Sequence, residues 1–180
     1  MAIVAGDILF KFSVVAAAGN TTGGTAATSL GDQISTTQIT AATLNNLFDD
    51  VSGDENAASD VEYRCYFVHN NHATLTWQSP VVWLSAETAN GASCAIAIDD
   101  FAASPIGQAS AQADVIADES TAPGAGVGAF SSPTTKATGL ALSNIVAGSC
   151  RAIWVKRTAA NTAALDADDV SIKVEGDTAA

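Results

Sequence analysis

The sequence predicts an all-β protein, a single antiparallel β-sandwich or jelly-roll-like domain with long loops and at most one short helix. Three observations carry this. Apolar and polar residues alternate with period two through Val61–Phe67 and Val170–Glu175, the pattern of strands whose successive side chains point to opposite faces. Hydrophobic residues make up 48% of the chain but aromatics only 6%, so Ala, with Val, Ile and Leu behind it, fills the interior, while Thr, Ser, Asn and Gly supply turns. Turn signals also separate about seven to nine short apolar runs, a spacing that suits a sandwich and leaves no room for paired long helices.

Taken in order, Ile8, Phe10, Phe12 and Val14 alternate with Leu9, Lys11 and Ser13 and mark a first strand. Residues 16–31, AAAGNTTGGTAATSLG, are too small and Gly-rich to hold a core and read as a loop or extended arm. The division expected is residues 1–35 as an N-terminal strand plus arm, and 36–178 as the sandwich body. A Thr-rich run between Ile34 and Ile39 suits a short strand. Leu44, Leu47 and Phe48 recur at helical spacing after Thr40, a candidate cap, so the one helix is expected there.

The stretch from Val61 to Ser85 is the best-marked core. Val61–Val68 is a half-buried strand with Glu62 and Arg64 on its polar parity, and Ala73, Leu75 and Trp77 resume the pattern. Joined by His69-Asn70-Asn71-His72, the two runs read as an antiparallel hairpin. Ser79-Pro80 interrupts, and Val81–Leu84 begins a run apolar on both faces. Cys94, Ile96 and Ile98 share one face of the next strand. Residues 102–138 then lose periodicity and hold three of the four prolines, so they are expected to form a long contact loop with short strands at Ala113–Ile116 and Val127–Phe130. In Cys150–Arg157 both parities are apolar, which predicts a central strand; Val170, Ile172 and Val174 close the fold on one face.

Charge and chemistry narrow the function. The net charge is −12, and the seven Lys and Arg residues form no basic patch, which argues against nucleic acid as a partner. No apolar run approaches membrane-spanning length, and MAIVAGDILFKF lacks the pattern of a secretory signal, so a cytoplasmic product is expected. Cys65, Cys94 and Cys150 fall in expected strands without metal-ligand spacing and are read as reduced, buried thiols. The acidic run Asp49–Asp60 has the oxygen chemistry of a calcium loop but not the spacing of one, and a solvated turn is the plainer reading. His69 and His72 lack a nearby third ligand and are read as surface turn residues. No GxSxG, GxxxxGK[ST] or strand-bound GxGxxG occurs. No catalytic, cofactor-binding or metal-binding residue is therefore assigned, and the chain is read as a non-enzyme.

Four strings, NNLFDDVSGDENAASD at 45–60, EYRCYFVHNNHATLT at 62–76, AIWVKRTAANTAAL at 152–165 and VEGDT at 174–178, together resemble a family of tailed-bacteriophage virion structural proteins. The resemblance runs from about Asn45 onward and carries no catalytic signature. It implies a capsid cement or decoration protein, assembled in the host cytoplasm, resident in the virion, trimeric, and partnered with the major capsid protein. A tail, tail-fibre or baseplate component is the alternative within that family. Two rivals come from other classes: a carbohydrate-binding module using Trp77, Trp83 or Trp154 as a platform, and a tail hydrolase built on a carboxylate pair.

Overall fold

Alternation in the central stretch does produce a strand, and the residues around it decide which neighbours it takes. The computed structural model describes residues 2–163, 165 and 168–178. In it β3 (Val61–Asn70) lies in the middle of the larger sheet, flanked by β1 (Ile8–Val14) and β8 (Ser149–Thr158). The sheet continues outward from β1 to β2 (Gln33–Gln38) and from β8 to β5 (Ser93–Ile98), with the two-residue β6 (Ser104–Pro105) also on β8. A second, three-stranded sheet runs β7 (Leu140–Ala141), β4 (Trp77–Glu87), β9 (Val170–Thr178). Every strand pairing is antiparallel, so the protein is all-β.

The two parities of β8 explain the layering. Ile153 and Val155 join Tyr66, Val68 and Ile96 in a core whose other half is Val82 and Leu84 of β4. Cys150, Ala152 and Trp154 face the opposite way, into a second core with Cys65, Phe67 and Ile34. Among the described residues no sheet covers that second face. Ala113 and Ile116 are buried against it, and Leu30, Ile106, Val127 and Phe130 pack around them, so residues 16–32 and 100–131 form a loop layer. A sheet buried on both faces needs near-continuous apolar strands, and seven consecutive residues of β3, Arg64–Asn70, are indeed buried.

Loops on a sheet must satisfy their own backbone groups, and two buried side chains do this. Asp99 Oδ2 accepts from the Trp154 indole N–H at 2.9 Å and the Asp114 amide at 2.9 Å, while Oδ1 accepts from the Phe101 amide at 3.1 Å. Gln112 Oε1 accepts from the Ile34 amide at 3.0 Å, and its Nε2 donates to the Pro105 carbonyl at 3.0 Å. The long segment is thereby stitched to β2, β5, β6 and β8. Ala113–Ile116 and Val127–Phe130 contribute only single bridges, at Val115 and Val127, in place of the short strands expected there.

Four expectations are corrected. The Val61–Trp77 hairpin does not form: β3 pairs with β1 and β8, and β4 belongs to the other sheet. Residues 71–76 are a crossover between sheets, held because Asn70 Nδ2 donates to the Leu75 carbonyl at 2.8 Å and the Ile145 carbonyl at 2.9 Å. Thr40–Phe48 is not helical, since Ala42 and Asn45 both have φ of 55°, a left-handed conformation that stops helix propagation. The α-helix is α1 (Gly53–Ala58), inside the acidic run. Ser52 caps it by accepting from the Glu55 amide, and Glu55 returns to accept from the Ser52 amide at 2.6 Å. Nor is β3 half-buried: Glu62 and Arg64 are 7% and 2% exposed. Arg157 pairs with Glu62, Arg64 pairs with Glu119, and both guanidinium groups lie over the Phe48 ring, so burial of these charges is compensated. Ser79-Pro80 does not end a strand but bulges one, with the β4–β9 register shifting between Gln78 and Val81.

Candidate functional site

The residue types that carry chemistry are used internally. His69 is not in a turn: it occupies β3 between Leu9 of β1 and Cys150 of β8 and is 2% exposed. Neither of its ring nitrogens has a hydrogen-bond partner among the described residues. Burial first, and the Lys11 charge second, push its pKa down to about 4, so the ring is neutral at physiological pH. His72 sits in the crossover, where its Nδ1 accepts from the amides of Thr74 at 3.1 Å and Leu75 at 3.0 Å. That nitrogen is therefore committed to shaping the crossover.

Cys65, Cys94 and Cys150 are free and buried. Burial pushes Cys94 and Cys150 up to about 12 and Cys65 well above its ordinary value, which leaves all three as thiols with little nucleophilic character. Trp77, Trp83 and Trp154 are 4%, 8% and 0% exposed, so none offers a flat ring to a sugar. Within Asp49–Asp60, Glu55 caps α1 and Asp49 faces Arg157. Among the described residues no group of three or more His, Cys, Asp or Glu side chains is placed to hold a metal ion.

What the fold leaves open is a groove. Segment 39–53, residues 90–94 and 157–163, and the start of β9 surround a space of about 1080 Å³. Its floor is apolar, from Phe10 of β1, Tyr66 of β3, Ile39, Leu47, Phe48 and Ile172 of β9. Phe10 and Tyr66 touch, ring centroids 5.9 Å apart. Two large apolar side chains on its walls, Leu44 and Leu165, are 78% and 43% exposed. The Tyr66 hydroxyl is shielded from solvent yet has no hydrogen-bond partner among the described residues, and burial drives its pKa up.

The groove's electrostatics are lopsided. Asp49, Asp50, Asp168 and Asp169 line it against Lys173 and Arg157. Arg157 is already engaged, donating through Nε to Glu62 at 2.7 Å. Small-molecule sites usually run about 300–1,000 Å³; this one lies at the top of that range, floored by hydrocarbon and bordered by carboxylates. Sequence reading placed Leu44, Leu47 and Phe48 on a helix and so missed that all three line the groove. The signal available was Ser52-x-x-Glu55, which locates the helix start downstream and frees 40–48 to be loop.

No protein-family model matches this chain, and no curated protein and no solved structure is detectably similar to it.

Proposed function

We propose that this chain is a structural protein of a tailed-bacteriophage virion, acting as a capsid cement or decoration protein. It is made in the host cytoplasm and joins the particle as a homotrimer. There it bridges neighbouring major capsid subunits and works by buried contact area, with no reaction to perform. The observation that supports this best is the contrast between the interior and the groove. Histidines, thiols and tryptophans are consumed in packing, while exposed Leu44 and Leu165 border an apolar channel on an acidic, stitched β body. Adhesion to a neighbour uses that arrangement; turnover does not. The resemblance of the strings at 45–60, 62–76, 152–165 and 174–178 supplies the virion context.

The experiment is a copy count in purified particles by quantitative mass spectrometry. Hundreds of copies per particle are expected for a lattice-wide cement. Three to a dozen would move the chain to the tail, and none would remove it from the virion.

A further inference from the structure

We propose that the groove is completed by strand addition: an extended segment of a partner protein, with alternating apolar and basic side chains, pairs with the free edge of β9. This deepens the assembly reading, and rests on it only for the partner being a virion subunit.

The edge is the first argument. In the order β7-β4-β9, strand β9 is terminal, so along its nine residues half of the backbone N–H and C=O groups point away from β4. No other described strand pairs with it. The other edges are treated differently. β2 receives the Asn20 and Thr21 backbone, and β5 receives Ser131 and Gly128, through hydrogen bonds or bridges. β7 is only two residues long.

The second argument is where that edge opens. Val170, Ser171, Ile172 and Lys173 all line the groove. They are consecutive and therefore of both parities: Val170 and Ile172 half-buried, Ser171 and Lys173 exposed. A groove against one side-chain face would touch alternate residues. Lining by both parities fits a groove that runs along the strand's edge, the feature to which an extended peptide adds.

The floor and the walls fix the side chains. An added strand presents every second residue to Phe10, Tyr66, Leu47 and Phe48, and these accept apolar groups. The carboxylates bordering the groove, Asp49, Asp50, Asp168 and Asp169, outnumber its cations Arg157 and Lys173, which favours Lys or Arg over Asp or Glu at the other positions. A second copy of this acidic chain is a poorer donor, since its net charge is −12.

The test uses the full-length protein and fluorescein-labelled, end-capped peptides nine residues long, matching β9, read by anisotropy. The probes are alternating Val/Lys, alternating Val/Glu, and the Val/Lys peptide with every second amide N-methylated, in each of the two registers. Val/Lys is expected to bind at least about tenfold more tightly than Val/Glu, with the preference shrinking as salt rises. One N-methylated register should lose binding because its ladder donors are gone. Leu44→Lys, at a 78% exposed position, removes an apolar contact and repels the basic peptide, and should weaken Val/Lys binding by about tenfold or more. Equal binding of Val/Lys and Val/Glu, indifference to both N-methyl registers, or no effect of Leu44→Lys would overturn the proposal. Decoration of heads measured in parallel separates the two ideas: heads bound without Val/Lys binding sinks the strand-addition site alone.

Discussion

His69 makes stability depend on pH in a calculable way. The ring lies between β1 and β8, is 2% exposed, has neither nitrogen partnered among the described residues, and feels the Lys11 charge. In the unfolded chain it takes up a proton below its ordinary 6.5; in the folded chain it does so only at about 4. Between those values the unfolded state binds more protons, so stability rises with pH and is lost as pH falls from 6.5 towards 4. The full shift corresponds to roughly 3 kcal/mol, of which about 2 kcal/mol is already lost at pH 5. The assay is urea unfolding at pH 7, 6 and 5, followed by tryptophan fluorescence, since all three indoles are buried. Carboxylates also titrate at the low end, so the informative quantity is the difference between the wild type and His69→Leu. The variant should lose about 2 kcal/mol less than wild type between pH 7 and pH 5. Lys11→Met, which removes the repelling charge, should fall between them. Equal losses in wild type and His69→Leu, or an imidazole proton signal titrating near its ordinary value in the folded protein, would refute the reasoning.

Other outcomes follow from the same packing. Asp99→Ala removes the acceptor of the Trp154 indole and of the Phe101 and Asp114 amides, and should cost about 3 kcal/mol in chemical denaturation, with the loop layer becoming protease-sensitive before the small sheet. Tyr66→Phe deletes a shielded hydroxyl that has no partner, so in the free protein it should be neutral or stabilising by up to about 1 kcal/mol, the reverse of the usual core polar deletion. The three thiols should stay inert to a thiol reagent at pH 8 in the folded protein and react together once urea unfolds it, because burial holds Cys94 and Cys150 up to about 12 and Cys65 well above its ordinary value.

The strands were legible where alternation speaks for itself. β1, β5 and β9 fall where the pattern put them, and the double parity of Cys150–Arg157 predicted a central strand, as β8 is, between β3 and β5. Alternation says which residues share a face, but not which strand lies alongside. That is why Val61–Trp77 read as a hairpin, although the chain changes sheets at residues 71–76. The polar parity of β3 misled for a related reason. Glu62 and Arg64 look solvent-directed until Arg157, Glu119 and Phe48, all distant in sequence, are brought against them. The second core was invisible because its outer layer has no period. Asp99 and Gln112 anchor it through partners up to 78 residues away, and nothing local marks a buried carboxylate or amide. The groove was hidden by the same kind of long-range pairing, since one wall is loop 39–53 and the other is β9. Of its parts only the apolar residues of 44–48 stood out, and helical spacing gave them another meaning.

The claim beneath all of this is that the protein's output is attachment. It is tested most directly by adding the purified chain to phage heads assembled without it, then measuring bound protein per head and the temperature at which the genome escapes. The account predicts saturable binding that reaches hundreds of copies per head, together with a raised release temperature. Heads that bind nothing and release their genome at an unchanged temperature would contradict it.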